Sequence, residues 1–395
     1  MMKTIILRKG KEESLRRYHP WIFSGAVHHT EGNDPLEEGD IVEVLSSDGR
    51  FLAIGHWQIG SIAVRVLTFK RQRIDQAFWR RRIAAALEVR RSIGVVGKEG
   101  NDTCRLVHGE GDNLPGLVID IYGSTAVMQA HSVGMHVCRH ELAEALREVF
   151  GEKLKAVYYK SESTLPFKAQ LGQENGFLWG ESSDDIAYEN GLAFHIDWLK
   201  GQKTGFFIDQ RDNRALVERY AHGRRVLNMF CYTGGFSVYA MRGGAELVHS
   251  VDSSAKAVEL VDANVEYNFP GDNRHAAFAE DAFRYMEQMQ EEYNLIILDP
   301  PAFAKHKDAL HNALRGYTKL NAKAFEKIQP GGILFTFSCS QAVDKEHFRT
   351  AVFTAAAMAR RKVRILHQLH QPADHPVNIY HPEGEYLKGL VLYVE

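Results

Sequence analysis

From Arg224 onward, apolar runs and amphipathic stretches alternate with a regularity that the earlier chain lacks. The runs "RRVLNMF" (224–230), "ELVHSVD" (246–252), "HAAFAED" (275–281), "NLIILD" (294–299) and "GGILFTFSCS" (331–340) read as strands. Between them "GFSVYAMRGG", "SAKAVELVDANVEYN", "AFRYMEQMQEEY" and "YTKLNAKAFEKI" repeat apolar positions at three and four, as helices do. A further helix starting near Asp344 and the strands "VRILHQLH" and "GLVLYVE" complete the series. Strands alternating with helices of this length predict a doubly wound, Rossmann-like α/β sheet. Nearly continuous apolar strands suit a parallel sheet covered on both faces.

The first 185 residues follow another grammar. "GDIVEVLSSDGRFLAIGHW" shows two β-rich runs around a turn, and "SIAVRVLTF" alternates as a third strand. A small β-barrel or sandwich over 1–70 is expected, then a helix over 71–93. Residues 94–185 are mixed α+β: a hairpin in "LPGLVIDIYGSTAVMQAHS", a helix in "MHVCRHELAEALREVF" and a strand in "LKAVYYKSE". The polar stretch "GQENGFLWGESSDD" reads as a boundary. Three regions follow: 1–70, 71–185 and 186–395.

Composition changes this picture little. The 395 residues are 45% hydrophobic and 25% charged, an ordinary globular mix. No run reaches the roughly 18 apolar residues of a membrane span, and the N-terminal apolar stretch is too short for a signal-peptide core. Four cysteines, at 104, 138, 231 and 339, form neither a CxxC pair nor a disulfide framework, which fits a reducing cytoplasm. The net charge of −2 hides an asymmetry. Residues 1–91 hold 16 Lys and Arg against 11 Asp and Glu, concentrated in "KRQRIDQAFWRRRIAAALEVRR". Such a segment attracts phosphate backbones; the plainer reading is a solvated helix face, and the plainer reading is favoured.

A doubly wound sheet binds ligands beyond the carboxyl ends of its strands. That edge gathers Asn228 to Gly235, Asp252, Asp281, Asp299 and Cys339. The first loop, "NMFCYTGGFS", is neither GxGxxG nor a phosphate-binding loop. Its glycine pair lets a backbone approach a ligand. Asp252 suits ribose hydroxyls and Asp281 an adenine amino group, although either acid alone suits a cap for the next helix equally well. Together they suit a nucleoside without phosphate, with S-adenosylmethionine as the leading candidate.

"VLNMFCYTGGFSVYA", "VDSS", "NVEYN", "DPPAFAK" and "FTFSCS" resemble the class I S-adenosylmethionine-dependent RNA methyltransferases. The bacterial large-subunit ribosomal RNA cytosine-5 methyltransferases are the nearest match. "HPWIFSGAV", "GDIVEV" and "GRFLAIG" resemble that family's PUA domain, and "KTGFFIDQRDNR" resembles its segment beside the cofactor pocket. The resemblance implies methylation of cytosine C5 in 23S ribosomal RNA. It implies cofactor contacts from Asp209, Gln210, Arg211, Asn228, Phe230, Tyr232, Thr233, Gly234, Gly235, Asp252, Ser253, Asp281, Ala282, Asp299 and Pro300. Large-subunit ribosomal RNA is the expected partner, with no membrane and no metal; a homodimer is left open.

Cytosine C5 is a poor nucleophile until a thiolate adds to C6, so this chemistry needs one cysteine beside the cofactor. Cys339 takes that role at the end of its strand, and the resemblance places the nucleophile there too. Cys231 more naturally shapes the pocket, and Cys104 and Cys138 are structural. Asp299 can hydrogen-bond the N3 and amino edge of the base. Pro300 and Pro301 form a stiff wall, Phe303 can stack, and Lys305 can meet phosphate. His375, with Asp374, is expected in a substrate loop. His367, His370, His375 and His381 lack a metal-binding spacing. Methylation of uracil C5 or of an exocyclic amine, a non-catalytic RNA-binding factor and a nicotinamide dehydrogenase are the rivals. A cytosine must be single-stranded or flipped out to reach the cysteine.

Overall fold

The computed structural model describes residues 3–32, 35–166, 171–172, 174–304 and 306–395. The chain divides into two compact units. The first comprises residues 1–188, 196–208 and 373–384; the second comprises 189–195, 209–372 and 385–395.

The first unit contains two sheets. One has six strands in the spatial order Trp21–Phe23, Ile62–Thr68, Phe51–Trp57, Ile41–Leu45, Lys3–Leu7 and Val27–Glu31. The hairpin read around "SSDG" is present, Ile41–Leu45 pairing antiparallel with Phe51–Trp57. Ile5, Leu7, Val42, Val44, Ala53 and Val64 alternate inward to fill its core. The other sheet has five strands in the order Gly176–Gly180, Ala156–Tyr159, Thr125–Ala130, Leu117–Tyr122 and Thr103–His108. Gly176–Gly180 lies inside the stretch read as a boundary, and Val157 pairs with Trp179 there. Local polarity hid this edge strand because Phe177, Leu178 and Trp179 are flanked by turn formers on both sides. The expected helix over 135–150 breaks at Cys138 into Val133–Val137 and Arg139–Phe150.

The basic segment forms helix Gln76–Ser92, capped by Asp75 through the Phe78 amide. Arg82 and Arg90 are committed within the protein, whereas Arg80, Arg81 and Arg91 stay exposed on the solvated face. Arg82 Nη2 donates to the Leu67 carbonyl at 2.6 Å, and Arg71 pairs with Glu43 at 2.8 Å. Arg90 is fully buried: it forks onto both oxygens of Asp112, and donates to the carbonyls of Arg105 and Asp374 at 2.7 Å each. The Arg105 amide donates to the Asp374 carboxylate at 3.0 Å, and His375 lies with its ring centroid 5.1 Å from that of His108. Segment 373–384 is thereby sealed into the first unit. At Gly111 a Cβ would stand 1.9 Å from the Pro376 carbonyl oxygen, so only glycine allows this approach.

The second unit is the doubly wound sheet. Its spatial order is His275–Ala279, Leu247–Asp252, Arg225–Met229, Leu295–Leu298, Gly332–Ser338, Lys388–Val394 and Val363–His370. The first five strands are parallel, and Lys388–Val394 runs antiparallel between its two neighbours. The central strands are buried along their whole length, whereas the edge strand Val363–His370 alternates and is half exposed. Among the described residues no helix is long and apolar enough to cross a membrane.

Removing Arg90 strands Asp112 in a dry interior, which ordinarily costs about 3–5 kcal/mol for a broken buried pair. We expect Arg90→Met to lower the stability of the first unit by that order, read as a shifted midpoint in urea unfolding. An unchanged midpoint would show the pair to be dispensable.

Candidate cofactor and nucleophile site

The order of the sheet reverses between Arg225–Met229 and Leu295–Leu298, and loops part at that point. The loop after Arg225–Met229 is held in an unusual backbone conformation. Phe230, Tyr232 and Gly234 all have positive φ, at 58°, 47° and 78°. Two of these carry side chains, a conformation that persists where its surroundings enforce it. Here the Cys231 amide donates to the Val251 carbonyl at 3.1 Å, and the Tyr232 amide donates to the Asp252 carboxylate at 3.0 Å. The Gly234 amide closes the turn on the Cys231 carbonyl at 2.8 Å. A Cβ on Gly234 would stand 2.7 Å from the Val261 side chain, so sterics and φ both require glycine. Helix Gly235–Arg242 starts directly after this turn.

Asp252 spends its second oxygen on the Ser254 amide at 2.9 Å, leaving Ser253 exposed beside it. Asp281 caps helix Ala282–Gln288, its Oδ1 accepting from the amides of Phe283 and Arg284 at 3.0 Å each. The capping role weighed in the sequence is therefore real, and it uses one oxygen of the exposed carboxylate. Asn228 is fully buried and donates to the Ser237 hydroxyl at 2.9 Å, which continues through Ser250 to His275. The carbonyl oxygen of the Asn228 side chain and the hydroxyl of Thr233 are buried with no hydrogen-bond partner among the described residues. Such unmet groups at a strand end fit a polar ligand.

The "IDQRDNR" stretch forms a turn of 3-10 helix, Ile208–Gln210, leading into helix Arg211–Ala221. Asp209 accepts from the Tyr386 hydroxyl at 2.6 Å, and Gln210 accepts from the Asn213 amide group at 2.6 Å. Arg211 and Arg214 converge on the fully buried Glu189, at 3.4 and 2.7 Å. Glu189 was not singled out in the sequence. Its neighbours are Asn190 and Gly191, which advertise only a turn.

Leu298 pairs with Thr336 in the parallel register, so Asp299–Pro301 and Cys339 leave the sheet at the same end of adjacent strands, Cys339 directly after Ser338. Asp299 is half buried, Pro300 buried and Pro301 exposed. Phe303 packs on Tyr317, ring centroids 4.6 Å apart, which occupies part of the surface expected to stack on a base. Lys305 lies outside the described residues. Of the four cysteines, Cys104, Cys138 and Cys231 are buried and Cys339 is half buried. Burial, with the nearby Asp252 charge, pushes the Cys231 thiol well up, and burial pushes that of Cys138 up to about 12. Both are poor nucleophiles in consequence.

Hydrogen bonds flank Cys339 on both sides. The Ser338 hydroxyl donates to Tyr317 Oη at 2.9 Å, and Tyr317 Oη and the Ser340 hydroxyl lie 3.1 Å apart. Lys388 Nζ donates to the Ser340 carbonyl at 2.6 Å. Neither Tyr317 nor Lys388 was expected. Tyr317 sits at a periodic apolar position of its helix, and strand pairing brings Lys388 from far along the chain.

His375, expected in a substrate loop, is a buried residue of the first unit. It is 1% exposed in the first unit, its Nδ1 3.0 Å from the Asp374 carboxylate, because segment 373–384 packs inward. The four histidines are dispersed, His375 and His381 in the first unit, His367 and His370 in the second. Among the described residues no group of three His, Cys, Asp or Glu side chains is placed to hold a metal.

Residues 165–380 match the family model for S-adenosylmethionine-dependent methyltransferase, and residues 5–69 match that for a PUA-like domain. Ribosomal RNA large subunit methyltransferase I of Aeromonas hydrophila is 40% identical over 400 aligned residues, covering 99% of both chains. Its namesake from Shewanella amazonensis is 42% identical over 398, again with 99% of both covered. The chain belongs to this methyltransferase family. Among solved structures, SMU.776 in complex with SAH superposes with a TM-score of 0.84 at 23% identity, all of both chains covered. A SAM-dependent methyltransferase structure from Streptococcus mutans gives 0.83 at 22%, with the same coverage. These likenesses bear on the fold.

S-adenosylmethionine is the cofactor of this methyltransferase family, and it supplies an electrophilic methyl group. The buried Thr233 hydroxyl and the glycine turn fit it, with Asp252 beside them and Asp281 past the next strand of the sheet. Asp252→Ala releases the Tyr232 and Ser254 amides together. We expect it to weaken S-adenosylmethionine binding at least about tenfold, near 1.4 kcal/mol, by calorimetry. Unaltered affinity would remove Asp252 from the site.

Proposed function

We propose that this methyltransferase carries the methyl group to C5 of a cytosine in large-subunit ribosomal RNA, with Cys339 adding to C6. The observation that carries this reading is the half-exposed Cys339 at the same sheet edge as Asp299 and the cofactor loop. The Cys339 thiolate attacks C6, and its electron pair makes the ring an enamine that is nucleophilic at C5. Asp299 holds the N3 and amino edge as charge develops there. C5 takes the methyl group as its bond to the sulfonium sulfur breaks; a base then removes the C5 proton, the C5–C6 double bond re-forms, and the thiolate departs. Amine methylation needs no thiol, so the bracketed cysteine favours the covalent route over that rival. The names of the relatives support the RNA class, and the PUA-like region 1–70, with the middle region to 185, is the proposed RNA-binding part. The arginines committed in Gln76–Ser92 leave less of that helix for phosphates than its sequence suggested.

The decisive assay uses ribosomal RNA and labelled S-adenosylmethionine, with the product nucleoside identified by mass. Wild type is expected to yield 5-methylcytosine. Cys339→Ala should bind cofactor normally and lose transfer by about a thousandfold or more. Continued transfer by the variant, or a methylated amine or uracil as product, would sink this reading.

A further inference from the structure

We propose that Lys388 is the positioning residue that sets the ionisation of Cys339, its ammonium serving as counter-charge to the thiolate. The inference deepens the covalent reading and rests on it for its use in catalysis. The ionisation itself belongs to the resting protein.

Lys388 opens the final strand and pairs across it with Ser338, one residue before the cysteine. It is 7% exposed, and its Nζ donates to the carbonyl of Ser340, one residue after the cysteine. That bond uses one of the three N–H donors of an ammonium. A buried ammonium is stable only with a counter-charge. Cys339, Asp344, Glu385 and Lys345 are the charged or ionisable groups that act on it. Glu385 is held by Lys345 at 2.5 Å. Asp344 caps the helix Lys345–Met358 through the His347 amide and pairs with the His347 ring, both at 2.8 Å. Both carboxylates are thus engaged at the surface, and of the groups that act on Lys388 among the described residues Cys339 is the other one that can become an anion. Tyr317 is no competitor: burial and the Cys339 charge both push its hydroxyl up, so it stays a neutral partner of Ser338 and Ser340.

Burial pushes Lys388 down to about 8, while the Cys339 charge acts in the opposite direction. An amine poised there can also take the thiol proton. The Sγ–H bond breaks, the sulfur keeps the electron pair, and an N–H bond forms on Nζ. The resulting ion pair exists between the thiol's own titration and the range where Lys388 deprotonates, and it is lost on either side. An opposite charge at short range lowers a thiol from its ordinary value near 8.5.

The test follows the rate of iodoacetamide alkylation against pH in the full-length protein, with Cys339→Ala subtracting the other thiols. Wild type should titrate below about 8.5. Lys388→Met should raise that midpoint by at least about one unit, slowing alkylation near pH 7 about tenfold, and Lys388→Arg should recover most of the loss. S-adenosylmethionine binding verifies the fold of each variant. Equal midpoints in wild type and Lys388→Met overturn the proposal. Should Lys388→Met fail to fold, the wild-type midpoint decides, and a value at or above that of an ordinary thiol overturns it. Methyl transfer by Cys339→Ala would instead defeat the covalent reading, leaving the midpoint comparison intact.

Discussion

The functional half of this protein depends on one constraint: five parallel strands end at a common edge. Parallel hydrogen bonding fixes each strand against its neighbour, from Val251 opposite Phe278 to Leu298 opposite Thr336. The residues just past these pairs have no freedom to leave elsewhere. Asp252, Asp299 and Cys339 are thereby delivered to one side without any contact among them in sequence. The strained turn at 230–234 is tolerable because Val251 and Asp252, on the adjacent strand, accept its amides.

Much of this was legible because periodicity and strand ends are local properties. The five parallel strands, the glycine turn and the placement of Asp252 and Cys339 all follow from runs of ten or so residues. Asp281 was legible only as a choice between ligand and cap, since an acid before a helix satisfies either role. Pairings across long stretches of chain left no local trace. Lys388 next to Cys339, Glu189 beneath two arginines and His375 inside the first unit are made by tertiary register. The polar run 373–384 reads like any surface loop because burial of Asp374 rests on Arg90 and the Arg105 amide, far upstream.

The arginine-rich helix carries the same lesson in energetic terms. Counting charges suggested a face for phosphates or for water. Arg90 instead spends its guanidinium on one carboxylate and three carbonyls in a dry interior. A fork of this kind satisfies a planar five-donor group, which lysine would not. Charge density in a sequence therefore says little until it is known which cations have been withdrawn from the surface.

Segment 373–384 has a consequence for anyone who would take the protein apart. The first unit is assembled from three separate stretches of chain, the last of which follows nearly the whole of the second unit. A truncation at any point between 209 and 372 would leave Arg90, Arg105 and Gly111 facing the gap that Asp374 and Pro376 should fill. The two units are thus indivisible in genetic terms. A functional fragment would have to be built by permuting or grafting the chain, since shortening it removes part of a core.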